Sequence, residues 1–175
     1  TSMTGWTVNA GHNVSWIGPG NPFGLSSQDG THFLDLTDYS NGSPYGGVSQ
    51  TIATVAGGHY DLTFYLGSNS GSGVPDGISV TAGATTQNFL STLNAANQWE
   101  VELMSFVATG STTLLSFQGS AGGAYIGLDN VSVAFTGVTT PIPGADLMLG
   151  TGLLGLGFVG HRRSKQTGPS AIRAA

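Results

Sequence analysis

The feature that most constrains the fold is an alternation of apolar and polar side chains in short segments that are separated by turn residues. It is clearest in residues 59–66, where apolar side chains recur at every second position: Tyr60, Leu62, Phe64 and Leu66. Successive side chains of a β-strand point to opposite faces, so this pattern predicts a strand with one buried face. Because apolar spacing typical of a helix has almost no support before Ala145, we expect the chain up to that point to be all-β.

The same criterion predicts ten short strands. They cover residues 6–9, 13–17, 32–36, 47–54, 60–66, 78–82, 86–90, 99–108, 113–118 and 125–135. Turn sequences rich in Gly, Ser, Pro and Asp separate them, as at residues 67–73 and 75–77. Short strands at this spacing, with no helix between them, predict an antiparallel β-sandwich or jelly roll over residues 1–135.

The distribution of charge excludes some classes of ligand. All four basic side chains follow residue 161, whereas eight of the nine acidic side chains precede Gly144. A nucleic-acid partner requires cations that displace phosphate counterions, so we expect no nucleic-acid binding by residues 1–135 and disfavour anionic ligands. The absence of Cys excludes disulfides and cysteine metal sites.

The C-terminal part has a different composition. Residues 136–144 form a Thr- and Pro-rich linker, residues 145–160 form an apolar and Gly-rich run, and residues 161–175 form a basic tail. A bilayer core of about 30 Å requires roughly 20 apolar residues, so the run is short, but its basic flank is typical of the cytoplasmic side of a transmembrane helix. The alternative is a buried helix of a soluble domain whose basic end complements the helix dipole.

The order of these segments resembles the PEP-CTERM sorting signal of Gram-negative bacterial surface proteins. The resemblance rests on a proline motif, the apolar run and an arginine pair, with these residues: Pro141, Ile142, Pro143, Gly144, Ala145, Arg162 and Arg163. It implies that an exosortase recognises the motif, that the helix anchors the protein transiently in the inner membrane, and that the tail is removed on export to the cell surface or matrix. Export requires a signal peptide, so we expect that one was cleaved, trimmed or lost ahead of Thr1.

A second resemblance rests on the order of short signatures along the chain. They lie at residues 5–8, 29–36, 48–52, 58–64, 106–110, 115–117 and 128–133, the last of which reads Leu-Asp-Asn-Val-Ser-Val. This order resembles the galactose-binding-like jelly rolls of carbohydrate-binding modules, plant cell-wall domains and bacterial choice-of-anchor proteins. The opening strand usual in that family, Asn-Gly-x-Phe-Glu, does not occur here, so we expect that the sequence begins after it.

Asp129 is the candidate metal ligand. It shares strand parity with Val131 and Val133, so without a bulge its carboxylate faces the interior, where it must be paired, hydrogen-bonded or bound to metal. Similar jelly rolls hold a structural calcium near this strand, which implies that Asp129 is an oxygen ligand for Ca²⁺. The alternative is that Asp129 accepts backbone N–H bonds at a bulge.

Four aromatic side chains are candidate contacts for a carbohydrate, because sugar rings stack on Trp and Tyr while amides and carboxylates bind the hydroxyls. They are Trp16, Tyr39, Tyr45 and Trp99. Tyr39 and Tyr45 are preferred because they flank turn residues in a loop that we expect to be exposed. For each of the four, packing in the core or in a loop is the alternative.

No catalytic constellation stands out. Glu100 and Glu102 share one strand face, which we interpret as solvated rather than as the two carboxyl groups that flank a glycosidic bond. The sequence therefore predicts an exported, non-catalytic surface or matrix protein with a carbohydrate-binding jelly roll. The alternatives are a structural or self-associating surface protein without a sugar ligand and, with less support, a glycoside hydrolase.

Overall fold

The computed structural model describes residues 3–10, 12–22, 24–38, 43–68, 75–93, 95, 97–123 and 125–138. The predicted sorting motif, the apolar run, the basic tail and Tyr39 lie outside these residues, so the interpretations that depend on them stay predictions. Within the described part of the chain, no helix has the length and apolar character needed to cross a membrane.

All ten predicted strands are present, with ends that differ from the predicted ones by up to three residues. The strands are β1 (Thr7–Val8), β2 (Ser15–Ile17), β3 (Phe33–Asp35), β4 (Gly47–Ala53), β5 (Gly58–Ser68), β6 (Gly77–Ala82), β7 (Thr85–Leu90), β8 (Gln98–Val107), β9 (Thr112–Ala121) and β10 (Ile126–Val138).

These strands form two antiparallel sheets of five strands each. Sheet A has the order β1-β4-β9-β6-β7, and sheet B has the order β2-β3-β10-β5-β8. Consecutive strands of the sequence often lie in different sheets, so several connections cross from one sheet to the other. The predicted antiparallel sandwich is confirmed.

A main apolar core fills the space between the sheets. On β5 the alternation predicted from the sequence is observed: Leu62, Phe64 and Leu66 are fully buried and Tyr60 is nearly so. The Phe64 ring meets Phe89 and Phe117 of sheet A edge to face, with ring centroids 5.1 and 5.4 Å apart. Because burial of each such side chain contributes about 1.5–3 kcal/mol, this core is the principal source of stability.

A second, smaller cluster covers the opposite face of sheet B. It contains the buried residues Leu25, Phe33 and Tyr125, with Trp99 packed against them. Phe33 precedes Leu34 of the main core on β3, so its side chain points to the other face of the sheet. The loop that carries Leu25 therefore folds over the outside of sheet B at this end.

The edge strand β8 corrects one sequence interpretation. Val101 and Leu103 are 59% and 58% exposed, whereas Glu100 and Glu102 are half-buried on the side of the main core. The interpretation of the two glutamates as a solvated face was wrong, because they lie opposite the buried Leu66 and Phe64 of β5.

The surroundings of Glu100 and Glu102 differ in how they affect the two carboxyl groups. The Glu100 carboxylate accepts hydrogen bonds from Thr92 N at 2.9 Å and from Thr92 Oγ1 at 2.8 Å. Burial raises the pKa of Glu102, and the negative charge of Glu100 adds to the rise. The two glutamates therefore lie at the edge of the apolar core, beside the edge strand of sheet B.

Candidate functional site

A cleft of about 400 Å³ opens between the two sheets, on the side of β1, β2 and β3. Its apolar walls include Trp6, Ile52 and Val133, which come from the segment before β1, from β4 and from β10. Its polar lining includes Gln50 and Asn130, and the Asn130 amide donates a hydrogen bond to Gln28 Oε1 at 3.0 Å. An apolar cleft with a few polar groups is the usual form of a small-ligand site.

Trp16 is the sequence-predicted aromatic that lines this cleft. Its side chain is 49% exposed, and its indole stacks on the His32 ring with centroids 5.5 Å apart and an interplanar angle of 28°. Thr31 Oγ1 lies 2.8 Å from His32 Nδ1 and so fixes the imidazole. Trp16 is thus supported from the protein side while about half of it stays open to solvent.

A bulge in β10 positions the polar side of the cleft. The register between β10 and β5 is interrupted between Asp129 and Ser132, and Asn130 takes a left-handed φ of 48°. The Asp129 carboxylate accepts backbone N–H bonds from Gln28 at 3.0 Å, Asp29 at 3.1 Å and Asn130 at 2.8 Å. The bulge and its N–H bonds, which were the alternative for Asp129, are therefore observed.

Calcium at Asp129 stays a prediction. Among the described residues, no three His, Asp or Glu side chains are grouped in a way that could hold a metal ion. The three N–H donors already compensate the Asp129 charge, because a carboxylate with two or three backbone donors is well stabilised.

Trp99 lies away from the cleft, in the second apolar cluster. Its ring covers two glycines: a Cβ atom at Gly67 would lie 2.5 Å from the indole, and one at Gly127 would lie 2.8 Å from it. Its Nε1 donates a hydrogen bond to Ser26 O at 2.8 Å. The structure thus shows Trp99 packed against the protein. Its contact with a sugar stays a prediction.

Tyr45 is less exposed than the sequence interpretation expected. Its ring packs against the main core, and its hydroxyl donates a hydrogen bond to Gly122 O at 2.9 Å. Trp16 and Tyr45 are not brought together, since Tyr45 is absent from the cleft lining. Direct contact between Tyr45 and a ligand stays a prediction.

The sequence interpretation missed a pair of buried acids, Asp35 and Asp76, which are 3% and 1% exposed. Asp35 Oδ1 accepts N–H bonds from Thr37 at 3.0 Å and Ile126 at 3.1 Å, and its Oδ2 accepts Thr37 Oγ1 at 2.7 Å. Burial raises the pKa of Asp35, and these hydrogen bonds act against the rise. The sequence around Asp76, Pro-Asp-Gly, predicts a turn and carries no signal of burial.

Asp76 is the less satisfied of the two acids. Its Oδ2 accepts the Ser68 hydroxyl at 2.5 Å, whereas no donor among the described residues forms a hydrogen bond of normal geometry with its Oδ1. Burial raises the pKa of Asp76 to about 6; the Ser68 hydrogen bond and the Gly123 N–H act against the rise, and the negative charge of Asp35 adds to it.

Comparison with solved structures supports the fold. The chain is similar to a family 35 carbohydrate-binding module from an environmental isolate, with 14% identity, a TM-score of 0.53, and 80% of this chain and 93% of that chain covered. It is similar to a family 35 module from Paenibacillus barcinonensis, with 15% identity, a TM-score of 0.51, and 75% and 93% covered.

A third similar structure is the Clostridium thermocellum xylanase 10B module pair, a family 22 module joined to a GH10 module and complexed with xylohexaose. The identity is 14%, the TM-score 0.52, and 76% of this chain and 26% of that chain are covered. At these identities the likeness establishes the fold alone, and it confirms a sandwich that resembles the jelly rolls of carbohydrate-binding modules.

Sequence comparison assigns the family. No curated protein matches the chain. The model described as "Protein of unknown function (DUF642)" matches residues 1–133, which include nine of the ten strands in full and part of the tenth. The chain belongs to the DUF642 family.

Proposed function

We propose that the protein is an exported, non-catalytic carbohydrate-binding protein of a bacterial cell surface or extracellular matrix, and that the cleft beside Trp16 is its binding site. The observation that carries the proposal is the half-exposed Trp16 indole, which His32 supports at the margin of the cleft.

The chemistry of the cleft suits a sugar. A pyranose has an apolar face that stacks on an indole, while its hydroxyl groups require donors and acceptors such as the amides of Gln50 and Asn130. An indole that is already held in place loses little conformational freedom when a ligand binds. The similarity in fold to carbohydrate-binding modules supports the same proposal.

Export is the second part of the proposal, and the order of the C-terminal segments supports it. The Pro-Ile-Pro-Gly-Ala motif that begins at Pro141 precedes an apolar run and the pair Arg162 and Arg163, an order that suits an exosortase substrate held briefly in the inner membrane. Intact-mass measurement of the protein from its native host tests this. Loss of the chain after about residue 143 supports processing, and a full-length soluble species refutes it.

Affinity electrophoresis in gels that contain neutral polysaccharides tests the binding site. We expect Trp16→Ala to lose the retardation that the unaltered protein shows. Leu114→Ala is the matched control, because Leu114 is 52% exposed but lies on β9 of sheet A, on the face turned away from the core. Equal retardation of the Trp16→Ala variant and the control would reject the cleft.

A Tyr39→Ala variant separates the cleft from the loop flanked by Tyr39 and Tyr45, which the sequence favours as the binding loop. If Tyr39→Ala abolishes retardation while Trp16→Ala does not, the binding site is the loop. If no polysaccharide retards the unaltered protein, carbohydrate binding itself is refuted.

A self-associating surface protein is a second candidate, and the edge strand β8 favours it. The exposed side chains Val101, Leu103 and Val107 lie on one face of β8, with Ser105 between the last two, and no described strand pairs with the outer edge of β8. Long apolar edges are ready templates for pairing with another chain. Light scattering should then show an oligomer that Leu103→Asp converts to a monomer, and a monomer at all concentrations rejects this candidate.

A further inference from the structure

The cleft beside Trp16 ends on the main core. Three buried core side chains line its inner part: Leu34, Leu115 and Leu128. Leu115 lies on β9 and Leu128 on β10, which are the central strands of the two sheets, two strands in from the edges β1 and β2. Since neighbouring strands lie about 4.8 Å apart, the cleft reaches about 10 Å inwards from those edges. A ligand therefore inserts one group into the cleft and leaves the remainder at its mouth.

The inner part of the cleft is apolar. Its walls beside the three leucines include Ile52, Val131 and Val133, which pack against the main core. The acidic side chain in the lining, Asp129, already accepts three backbone N–H bonds. A sugar hydroxyl group placed against these apolar walls would lose its hydrogen bonds to water without replacement, which is unfavourable. The group that a ligand inserts here is therefore largely apolar.

Gln50 is the polar exception in this part of the cleft. It is half-buried on β4, between Val48 and Ile52 on the core-facing side, and it pairs in register with Leu115. Its amide forms no hydrogen bond with another described residue. Gly5 leaves room for that amide, since a Cβ atom at Gly5 would lie 2.7 Å from Gln50 Nε2. Gln50 thus offers one carbonyl acceptor and an N–H donor group to a ligand.

The other polar groups lie at the mouth or hold the protein side of the cleft. Thr4 and Asn130 are exposed, and the Asn130 amide nitrogen donates to Gln28 Oε1 at 3.0 Å. The His32 ring is stacked on Trp16. Hydroxyl groups of a ligand therefore find partners and water at the mouth, whereas the interior suits an apolar group that carries one amide.

We propose that the cleft binds a glycan through an N-acetylated sugar whose acetamido group enters the apolar part and pairs with Gln50, an inference that rests on the proposed carbohydrate binding. The acetamido N–H donates to Gln50 Oε1, its carbonyl oxygen accepts from Gln50 Nε2, and its methyl group packs against the leucines. The sugar ring then lies at the mouth, where the half-exposed Trp16 indole is available for stacking. The ligand is neutral, as suits a domain whose described residues include no Lys or Arg.

Two other apolar substituents of sugars match the cleft less well. The methyl group of a 6-deoxy sugar leaves both polar atoms of the Gln50 amide unpaired, and an O-acetyl ester leaves Gln50 Oε1 without a donor. A buried polar group without a partner weakens binding, so the acetamido group is favoured over both.

NMR titration of the full chain with matched pairs of methyl glycosides tests the assignment. Each pair consists of an N-acetylhexosaminide and the hexoside that has a hydroxyl group in place of the acetamido group, and one pair has the gluco and the other the galacto configuration. In at least one configuration, we expect the acetamido sugar to shift the Trp16 indole signal saturably and to bind at least tenfold more tightly than its partner. Filling an apolar pocket with even one carbon group changes affinity by about tenfold or more.

Gln50→Leu removes the amide and keeps the bulk of the side chain, so the preference for the acetamido sugar should fall below threefold. Gln87→Leu is the matched control, because Gln87 lies on β7 at the other edge of sheet A, and this variant should keep the preference. A preference that persists in Gln50→Leu overturns the proposal.

The comparison of ligands on the unaltered protein does not depend on the folding of any variant. Equal binding of the two members of both pairs overturns the proposal and leaves the cleft as a carbohydrate site. Binding of a polysaccharide without binding of any of the four glycosides also overturns it and leaves the proposed function standing. If neither the glycosides nor any polysaccharide binds, the proposed function fails and this inference fails with it.

Discussion

Replacement of Asp76 by Asn tests how strongly the buried carboxyl group opposes folding at neutral pH. Asn has the same shape, and its Oδ1 can still accept the Ser68 hydroxyl, but it carries no charge at any pH. Its amide N–H groups add a buried donor, which costs about 1–3 kcal/mol if unpaired and does not change with pH. The prediction therefore concerns the pH dependence of stability and not its absolute value.

The sign and size follow from the raised pKa of Asp76, which is about 6 in the folded protein against an ordinary value of 3.8. The stability contributed by this group is complete below about pH 3.8 and is lost as the pH rises through about 6. A difference of about two pH units between the folded and unfolded pKa of Asp76 corresponds to about 3 kcal/mol between the fully protonated and the fully ionised protein. Relative to the unaltered protein, Asp76→Asn should gain about 2.5 kcal/mol between pH 4 and pH 7.5, because at pH 4 the carboxyl group of the unfolded chain is already more than half ionised.

Urea unfolding of both proteins at intervals between pH 4 and pH 8, with EDTA present, measures this difference. Ser68→Ala provides a second check, because loss of the hydroxyl donor should raise the pKa of Asp76 further and move the transition to higher pH. A difference between the two proteins that stays constant across the pH range would refute the burial argument.

Three further predictions concern packing and hydrogen bonding. Trp99→Ala removes the ring that covers Gly67 and Gly127, so the free energy of unfolding measured in urea should fall by about 3–5 kcal/mol. Gly67→Ala places a methyl group 2.5 Å from that ring and should lower the free energy of unfolding by about 1–3 kcal/mol. In the double variant, Trp99→Ala should relieve this effect. Glu100→Gln weakens the acceptor for Thr92 N and Thr92 Oγ1 and should lower the urea midpoint by an amount equivalent to about 1 kcal/mol.

The strands were predictable because their signal is local. Alternation on β5 identifies its buried face from eight consecutive residues, and turn residues mark its ends. The polarity of Glu100 and Glu102 misleads about which face of β8 is buried. Met104 and Phe106 lie on the same face as the glutamates and are buried, so these later residues determine the core side of β8. On an edge strand, an acidic side chain can lie on the core-facing side because water still reaches the edge of the sheet.

The candidate site was predictable only in part, because its geometry depends on contacts between distant residues. The bulge at Asn130 is stabilised by N–H donors about one hundred positions earlier, at Gln28 and Asp29. The burial of Trp99 depends on glycines of two neighbouring strands. Asp76 gave no local signal, since a Pro-Asp-Gly sequence is equally typical of an exposed turn.

The most direct test of carbohydrate binding at the cleft uses the indole N–H signals of the three Trp residues in an NMR spectrum. On titration with a neutral oligosaccharide from a polysaccharide that the protein binds, we expect a saturable shift of the Trp16 signal. The Trp99 signal should stay in place, because its N–H is bonded to Ser26 O. Saturable binding that shifts the Trp99 signal and leaves the Trp16 signal unchanged would contradict the assignment of the site.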